Sequence, residues 1–374
     1  MLDGLRKDFD NPHLNDIRPI MKIWDFRNTS LVILGAGFSF AATDAGTPLM
    51  HGYFDKLTKS EFPDLYDFVL EVGCSQTCPL VSDANVERVL LALEQAKNSN
   101  ELVLNGWFEQ WIPRIQSIRD QLGMYTLSRL GDGITIDDEN WAANILASTG
   151  FETSYISLNY DNVAEKILSA RLGTKHLRNP NCPHCKMVDL LDYSCSCGEN
   201  RRDIGRRWHG SLMKLHGSIA WRRCVCESCC AKECISADRS CMPFREIKCK
   251  YCHKPCVPVM VFPTMSKNLR EVPQIGTMWQ AARAALEEAE TILFFGFSLP
   301  TSDELFCQLM RNSCKKLRKL RKVGAIDLSP DAVLSRFRMA VDPTCEIAYV
   351  PLPVEKNSVP DWYSPPSDSL FEKN

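Results

Sequence analysis

Thirteen of the 18 cysteines in this 374-residue chain fall between Cys182 and Cys256, and no other feature narrows the possible folds as much. Their spacings include Cys182-x-x-Cys185, Cys195-x-Cys197, Cys226-x-x-Cys229 and Cys249-x-x-Cys252. A two-residue gap lets one tight turn aim two thiolates at one ion, and two such turns complete a tetrahedral site. Residues 176–256 therefore read as a metal-binding module set inside a larger chain. Residues 1–15 are polar and mixed in charge, unlike a signal peptide, and apolar runs such as 292–297 are too short to span a bilayer. The expected setting is a reducing cytoplasm, where such cysteine pairs hold metal more readily than they form disulfides.

The remainder has the character of a soluble α/β protein. Apolar residues make up 45% and charged residues 24% of the chain. A net charge of −2 argues against a broadly nucleic-acid-binding surface. Arg201-Arg202, Arg206-Arg207 and the basic run at 315–322 are read as solvated faces, with an anionic partner as the alternative.

Short apolar runs alternate with helical periodicity along the chain. Strands are expected at 30–34, 155–158, 257–263, 291–296, 323–328 and 346–350. Helices are expected at 85–95, 102–130, 140–147, 162–170, 277–290, 302–322 and 330–340. Strands alternating with helices imply a parallel sheet covered on both faces. Residues 49–150 form a mostly helical excursion. The tail from Pro351 carries five prolines in 24 residues and reads as an extended strap or a disordered end.

The first strand runs into Gly35-Ala36-Gly37-Phe38-Ser39. A strand, a glycine turn and a helix form a phosphate-binding arrangement, because the backbone is open to approach and the helix start supplies N–H groups. A tight turn with no ligand would look the same, and the third glycine of the dinucleotide fingerprint is replaced by Phe40. The order of motifs adds more. After the glycine turn come Gly46-Thr47-Pro48, Asn159-Tyr160-Asp161, His216-Gly217, the cysteine pairs, Phe295-Gly296-Phe297-Ser298 and Ala325-Ile326-Asp327. That series resembles the sirtuin family over roughly residues 30–340.

The resemblance implies a Rossmann-like, doubly wound parallel sheet at 30–175 and 257–350. A helical insertion at 49–150, a zinc-binding module at 176–256 and an extended tail at 351–374 would complete the chain. It implies NAD+ as substrate, with Gly35, Ala36, Gly37 and Ser39 along the pyrophosphate and Asp161 near the carboxamide. Gly296 and Ser298 would meet the adenosine half, and Asp327 stands where the family usually has Asn at the adenosine ribose. Asn159 and His216 would be catalytic. As residues alone, Asn159 could instead cap the helix it precedes, and His216 could be a buried structural histidine. The family's structural zinc would fall on Cys226, Cys229, Cys249 and Cys252. Cys182, Cys185, Cys195 and Cys197 form a second set, giving one or two ions.

Two activities fit the resemblance: hydrolysis of NAD+ and NAD-dependent protein deacylation. Deacylases follow Gly-x-Pro with Asp-Phe-Arg, whereas here Leu49-Met50-His51 follows. The helical excursion and doubled cysteine module could cover a peptide cleft. Both features favour the hydrolase, of the type found in antiviral defence, while the zinc ribbon favours the deacylase. A non-catalytic NAD or ADP-ribose sensor is a third reading. An uncontrolled hydrolase would empty its own cell of NAD+, so a homo-oligomer or an activating protein partner is expected.

Overall fold

The computed structural model describes residues 24–44, 46–47, 52–74, 80–98, 110–131, 134–137, 139–150, 152–172, 212–224, 226, 228–229, 235–237, 248–249, 251–254, 256–261, 273–300, 303–314, 319–341, 346–355 and 358–363. Its strands are, in order, β1 (Leu31–Leu34), β2 (Ser154–Ser157), β3 (Leu212–Lys214), β4 (Gly217–Cys224), β5 (Ile235–Ala237), β6 (Cys256–Met260), β7 (Thr291–Phe295), β8 (Lys322–Asp327) and β9 (Ala348–Pro353). Its helices are α1 (Ala36–Ala42), α2 (Pro63–Val72), α3 (Val86–Asn98), α4 (Ile115–Gly131), α5 (Trp141–Ser148), α6 (Val163–Leu172), α7 (Pro273–Glu288), α8 (Glu304–Cys314) and α9 (Pro330–Arg338).

Six strands form one sheet in the order β3-β2-β1-β7-β8-β9, and every pairing in it is parallel. Its central strands are apolar on both faces because both faces are covered. Leu31, Ile33, Ile292, Phe294, Val323 and Ala325 pack against α7, α8 and α9. Val32, Leu34, Leu293, Phe295 and Ile326 pack the other way, against α1, α5 and α6. This is the Rossmann-like arrangement expected. After β1 the chain builds outward through β2 and β3, then returns to the far side of β1 as β7. The β1/β7 boundary is therefore the topological switch point, where a crevice opens beyond the strands' carboxyl ends.

A smaller antiparallel sheet, β5-β4-β6, springs from the end of β3. Helices α2, α3 and α4 form a separate body with its own core, centred on Phe54, Phe68, Val89, Leu122 and Tyr125. Leu127 and Leu130 of α4 join Ile219, Tyr160 and Met260 and so tie that body to β4.

Several segments depart from expectation. The strand expected at 257–263 is β6, which pairs antiparallel with β4 in the small sheet and stands outside the main one. The helix expected across 102–130 is described as helix only from Ile115, after a short turn at Ile112–Arg114. Leu212–Lys214, inside the segment assigned to the zinc module, is the edge strand of the main sheet. At three residues it is too short to carry a strand pattern. Of the helix expected across 302–322, Glu304–Cys314 is described as helix, residues 315–318 lie outside the described residues, and Lys322 pairs with Thr291 as the start of β8. The tail begins as β9, which runs through Pro351 and Pro353. An edge strand tolerates proline because its outer side has no ladder to feed. Among the described residues beyond it, Trp362 stands edge-on to Trp141 at 6.2 Å between ring centroids, and its indole N–H donates to the Pro353 carbonyl. No described helix is long and apolar enough to cross a membrane.

Candidate active site

The two glycine turns at the switch point are built against each other. Gly37 N–H donates to the Gly296 carbonyl at 2.9 Å, and Gly35 N–H donates to the Phe295 carbonyl at 3.1 Å. Gly296 has φ +60°, and a side chain there would place Cβ 2.0 Å from the Phe38 nitrogen. A Cβ on Gly35 would lie 2.4 Å from the Gly296 oxygen. Glycine is thus required first by the approach of one turn to the other. The amides of Gly35 and Gly37, expected to face a pyrophosphate, are bonded to protein.

Beside these turns lies a cavity of about 730 Å³. Gly35, Ala36, Gly37, Ser39, Asn159, Asp161, His216, Gly296, Ser298 and Asp327 all line it. These are the residues singled out in the sequence as catalytic or nucleotide-binding, and the fold brings them to one space. Tyr53, Val86, Leu90, Leu122 and Leu130 add an apolar wall from the helical insertion, and Glu355, Ser358 and Val359 add the strap.

Asn159 follows β2 and is buried at 8% exposure. Its Nδ2 donates to the Gly35 carbonyl and to Ser39 Oγ, each at 2.8 Å. A carbonyl can only accept, so the amide nitrogen must face the glycine turn. Both N–H bonds are then spent, and the amide oxygen is the group left for a ligand. The helix cap is supplied by Asp161, whose Oδ1 accepts from Val163 N–H at 3.0 Å. Asn159 is therefore free of the capping role that its position allowed.

His216 sits in the turn between β3 and β4, with 3% exposure. Gly217 has φ +84°, and its Cβ would strike the Val259 carbonyl oxygen at 2.1 Å, so the sharp reversal after His216 needs glycine. Nδ1 of His216 lies 2.9 Å from the Leu158 carbonyl oxygen and must donate to it. Proton exchange is left to Nε2, which lies 3.4 Å from Oδ2 of Asp303. Asp303 is buried at 2% exposure and also lines the cavity. The sequence reading missed it because an acidic residue directly before a helix looks like a cap. Tyr160 completes this side. Its ring is tilted over the imidazole at 6.0 Å, its hydroxyl donates to the Val261 carbonyl, and burial holds its ionisation well above the ordinary range.

At the opposite end, Asp327 closes β8. Its Oδ1 accepts from Ser329 N–H at 3.0 Å, and burial pushes its carboxyl above the usual range. Arg336 reaches from α9 to the Ser298 carbonyl.

The small sheet carries four sulfurs that lie within 4.8 Å of one another: Cys224, Cys229, Cys249 and Cys252. Cys224 and Cys252 are 3.5 Å apart, and Cys229 and Cys249 are 3.6 Å apart. Tetrahedral thiolate bonds to zinc of about 2.3 Å separate sulfurs by about 3.8 Å, so the set fits that ion. Backbone N–H groups of Cys252 and Tyr251 lower the Cys249 thiol to about 6, whereas against the Cys226 N–H, burial and the surrounding sulfurs push the Cys224 thiol up to about 12, a proton that a metal would have to displace. Cys226, expected as a ligand, lies outside this four-sulfur group, and Cys224 stands in it instead. The Cys226 sulfur lies 3.3 Å from Ser228 Oγ, and its backbone N–H donates to Cys224 Sγ. Position 224 ends β4 opposite Cys256, so the strand aims it into the cluster, although no two-residue spacing marks it. The second expected set, Cys182, Cys185, Cys195 and Cys197, lies outside the described residues. Cys74, Cys224, Cys226, Cys229, Cys249, Cys252, Cys256 and Cys307 form no disulfide among the described residues. β4 spans the distance from the His216 turn to Cys224, on the order of 20 Å, so the cluster stands away from the cavity.

The structure is similar to solved structures of Sir2 enzymes. One, from a study of the mechanism and regulation of Sir2 enzymes, shares 12% identity over 92% of this chain and 93% of its own, with a TM-score of 0.40. A Sir2 bound to acetylated peptide shares 11% over 90% and 91%, with a TM-score of 0.37. A Sir2 in complex with the inhibitor EX-527, 2'-O-acetyl-ADP-ribose and deacetylated p53 peptide shares 12% over 87% of each chain, at 0.36. No protein-family model matches the chain, and no curated protein matches it. At these TM-scores the likeness is loose; the chemistry is carried by the cavity's own residues.

Proposed function

We propose that this cavity hydrolyses NAD+ at the nicotinamide–ribose bond, giving nicotinamide and ADP-ribose. The observation that carries the reading is that Asn159 and His216, from separate strand ends, open onto one cavity with the glycine turns of the switch point.

The chemistry asks little covalent work of a protein. The glycosidic bond breaks through an oxocarbenium-like state, and its electrons leave with a neutral nicotinamide. The site must hold the ribose, exclude stray water and present one nucleophile. Positioning of this kind can supply up to about 7–11 kcal/mol. Asn159, with both N–H bonds spent on Gly35 and Ser39, accepts a hydrogen bond from the attacking water or a ribose hydroxyl through its amide oxygen. As the water oxygen bonds to the anomeric carbon, Nε2 of His216 takes its proton, and the Asp303 carboxylate stabilises the imidazolium. A general base contributes typically ~10²–10⁴-fold.

Water is favoured as the acceptor because Tyr53, Val86, Leu90, Leu122 and Leu130 wall the cavity with apolar side chains. The sequence after Gly46-Thr47-Pro48 also lacks the Asp-Phe-Arg of deacylases. The four-thiol cluster favours the alternative, NAD-dependent protein deacylation, since it matches the zinc ribbon of that branch. In either case the cluster would hold a structural zinc, having no open coordination position for water. A hydrolase of NAD+ in the cytoplasm needs a trigger, either self-association or a protein partner, and antiviral defence is a setting that uses such a switch.

The test is nicotinamide release from NAD+ by the purified protein, with and without an acylated peptide. Release without peptide supports hydrolysis. Release only with peptide transfers the reading to deacylation. Tight NAD+ binding with no release under either condition leaves a sensor. Asn159→Ala and His216→Ala are expected to abolish release in a folded protein; full turnover by both variants would remove the assignment.

A further inference from the structure

We propose that Lys214 is a positioning residue, whose buried ammonium clamps the loop at 159–161 to the turn that carries His216. Its kinetic consequence rests on the NAD+-cleavage reading; its structural consequence does not.

Lys214 ends β3, two residues before His216, and its side chain is fully buried. Lysine is almost never sealed from water unless it is paired. Here Nζ donates to the Asp161 carbonyl and to Oε1 of Glu165 at 2.7 Å, with the Tyr160 carbonyl at 3.5 Å. The Tyr160 carbonyl also accepts from Ile219 N–H at 2.9 Å. The exits of β2 and β3 and the start of β4 are therefore drawn together at one point behind the cavity. Lys214 does not itself line that cavity, so any effect on the chemistry passes through the residues it holds.

Stability alone is a poor reason for this arrangement. Oε2 of Glu165 is buried and makes no hydrogen bond among the described residues. Burial raises the Glu165 carboxyl, and the Lys214 ammonium opposes that shift. A buried ion pair with an unsatisfied oxygen is often matched or bettered by apolar residues of equal size. What the ammonium supplies that a methylene chain does not is direction. It pulls the carbonyls of Tyr160 and Asp161 inward and fixes the peptide planes between Asn159 and α6. Asn159 can then keep both its bonds to the glycine turn while its oxygen faces the cavity.

Lys214→Met alone would strand the Glu165 charge and destabilise the whole fold, so the informative variant is the double replacement Lys214→Met with Glu165→Leu. It removes the charge pair together while keeping the volume filled. We expect its melting temperature to fall by no more than a few degrees, the cost of leaving the Asp161 carbonyl without the ammonium. Amides of residues 159–162 should exchange with deuterium faster, and nicotinamide release at saturating NAD+ should fall about 100-fold with KM little changed, the loss that displacing a catalytic group by about 1 Å brings. Wild-type exchange at 159–162 would overturn the proposal, and so would wild-type turnover in a double variant of an active enzyme. If the wild type releases no nicotinamide, the functional reading falls and the exchange measurement decides the clamp by itself.

Discussion

Nε2 of His216 lies 3.4 Å from Oδ2 of Asp303, and both side chains are almost sealed from water. The Leu158 carbonyl already fixes a proton on Nδ1, so Nε2 is the nitrogen that exchanges, and a carboxylate faces it. In a water-poor site that negative charge favours the imidazolium formed when Nε2 takes a proton. Asp303→Asn keeps the shape and removes the charge. Nicotinamide release should fall about 100-fold, within the usual worth of a general base, while the melting temperature stays close to wild type. Turnover at the wild-type rate would make Asp303 a packing residue only.

Asn159 makes a sharper prediction than its removal alone. Its nitrogen faces the Gly35 carbonyl at 2.8 Å, a position no carboxylate can occupy comfortably. Asn159→Asp would set two acceptors against each other in a buried site and cost about 1–3 kcal/mol of stability. Chemical denaturation should reveal that loss, and the glycine turn should loosen with it. A variant as stable as the wild type would mean that the amide is not the brace between β2 and the first turn.

The main sheet was legible because its central strands, such as Leu31–Leu34 and Thr291–Phe295, are unbroken apolar runs that end in glycine. Asn159 and His216 stood out through motif order, which does not depend on knowing where the chain goes between them. Other features lay outside what local patterns carry. β3 is three residues long and is a strand only because Tyr155, Ile156 and Ser157 offer it a ladder. Asp303 looks like any acidic residue before a helix; its meaning comes from a histidine 87 positions earlier in the chain, on another strand end. Spacing does not single out Cys224, because it ranks pairs by their turns, whereas the end of a strand can aim a thiol equally well.

That last point separates two cysteines only two positions apart. Cys224 belongs to the four-sulfur cluster and Cys226 stands beside it, near Ser228. Zinc bound by four thiolates should therefore survive Cys226→Ser and not Cys224→Ser. Elemental analysis of the purified variants should find about one equivalent of zinc on this cluster in Cys226→Ser and well under that in Cys224→Ser, with a matching fall in melting temperature, since structural zinc contributes folding energy directly. A strong chelator should lower the wild-type melting temperature as well. The reverse ranking of the two variants would restore Cys226 as the ligand.

Asp327 offers a test through pH. It ends β8 at the cavity wall, where burial raises its carboxyl despite N–H groups from Ser329 and Leu328 and the nearby Arg336 charge. A carboxyl raised in the folded state binds its proton more tightly there than in the unfolded chain. The stability this group contributes is therefore present in acid and is lost as pH rises through the raised folded value. Asp327→Asn removes the titration, and its amide oxygen can still accept from Ser329 N–H. The variant should melt a few degrees above the wild type at neutral pH, and the gap should close towards about pH 4, near the ordinary carboxylate range. A gap that stayed constant across that span would show that the carboxylate of Asp327 does not carry the burial penalty assigned to it.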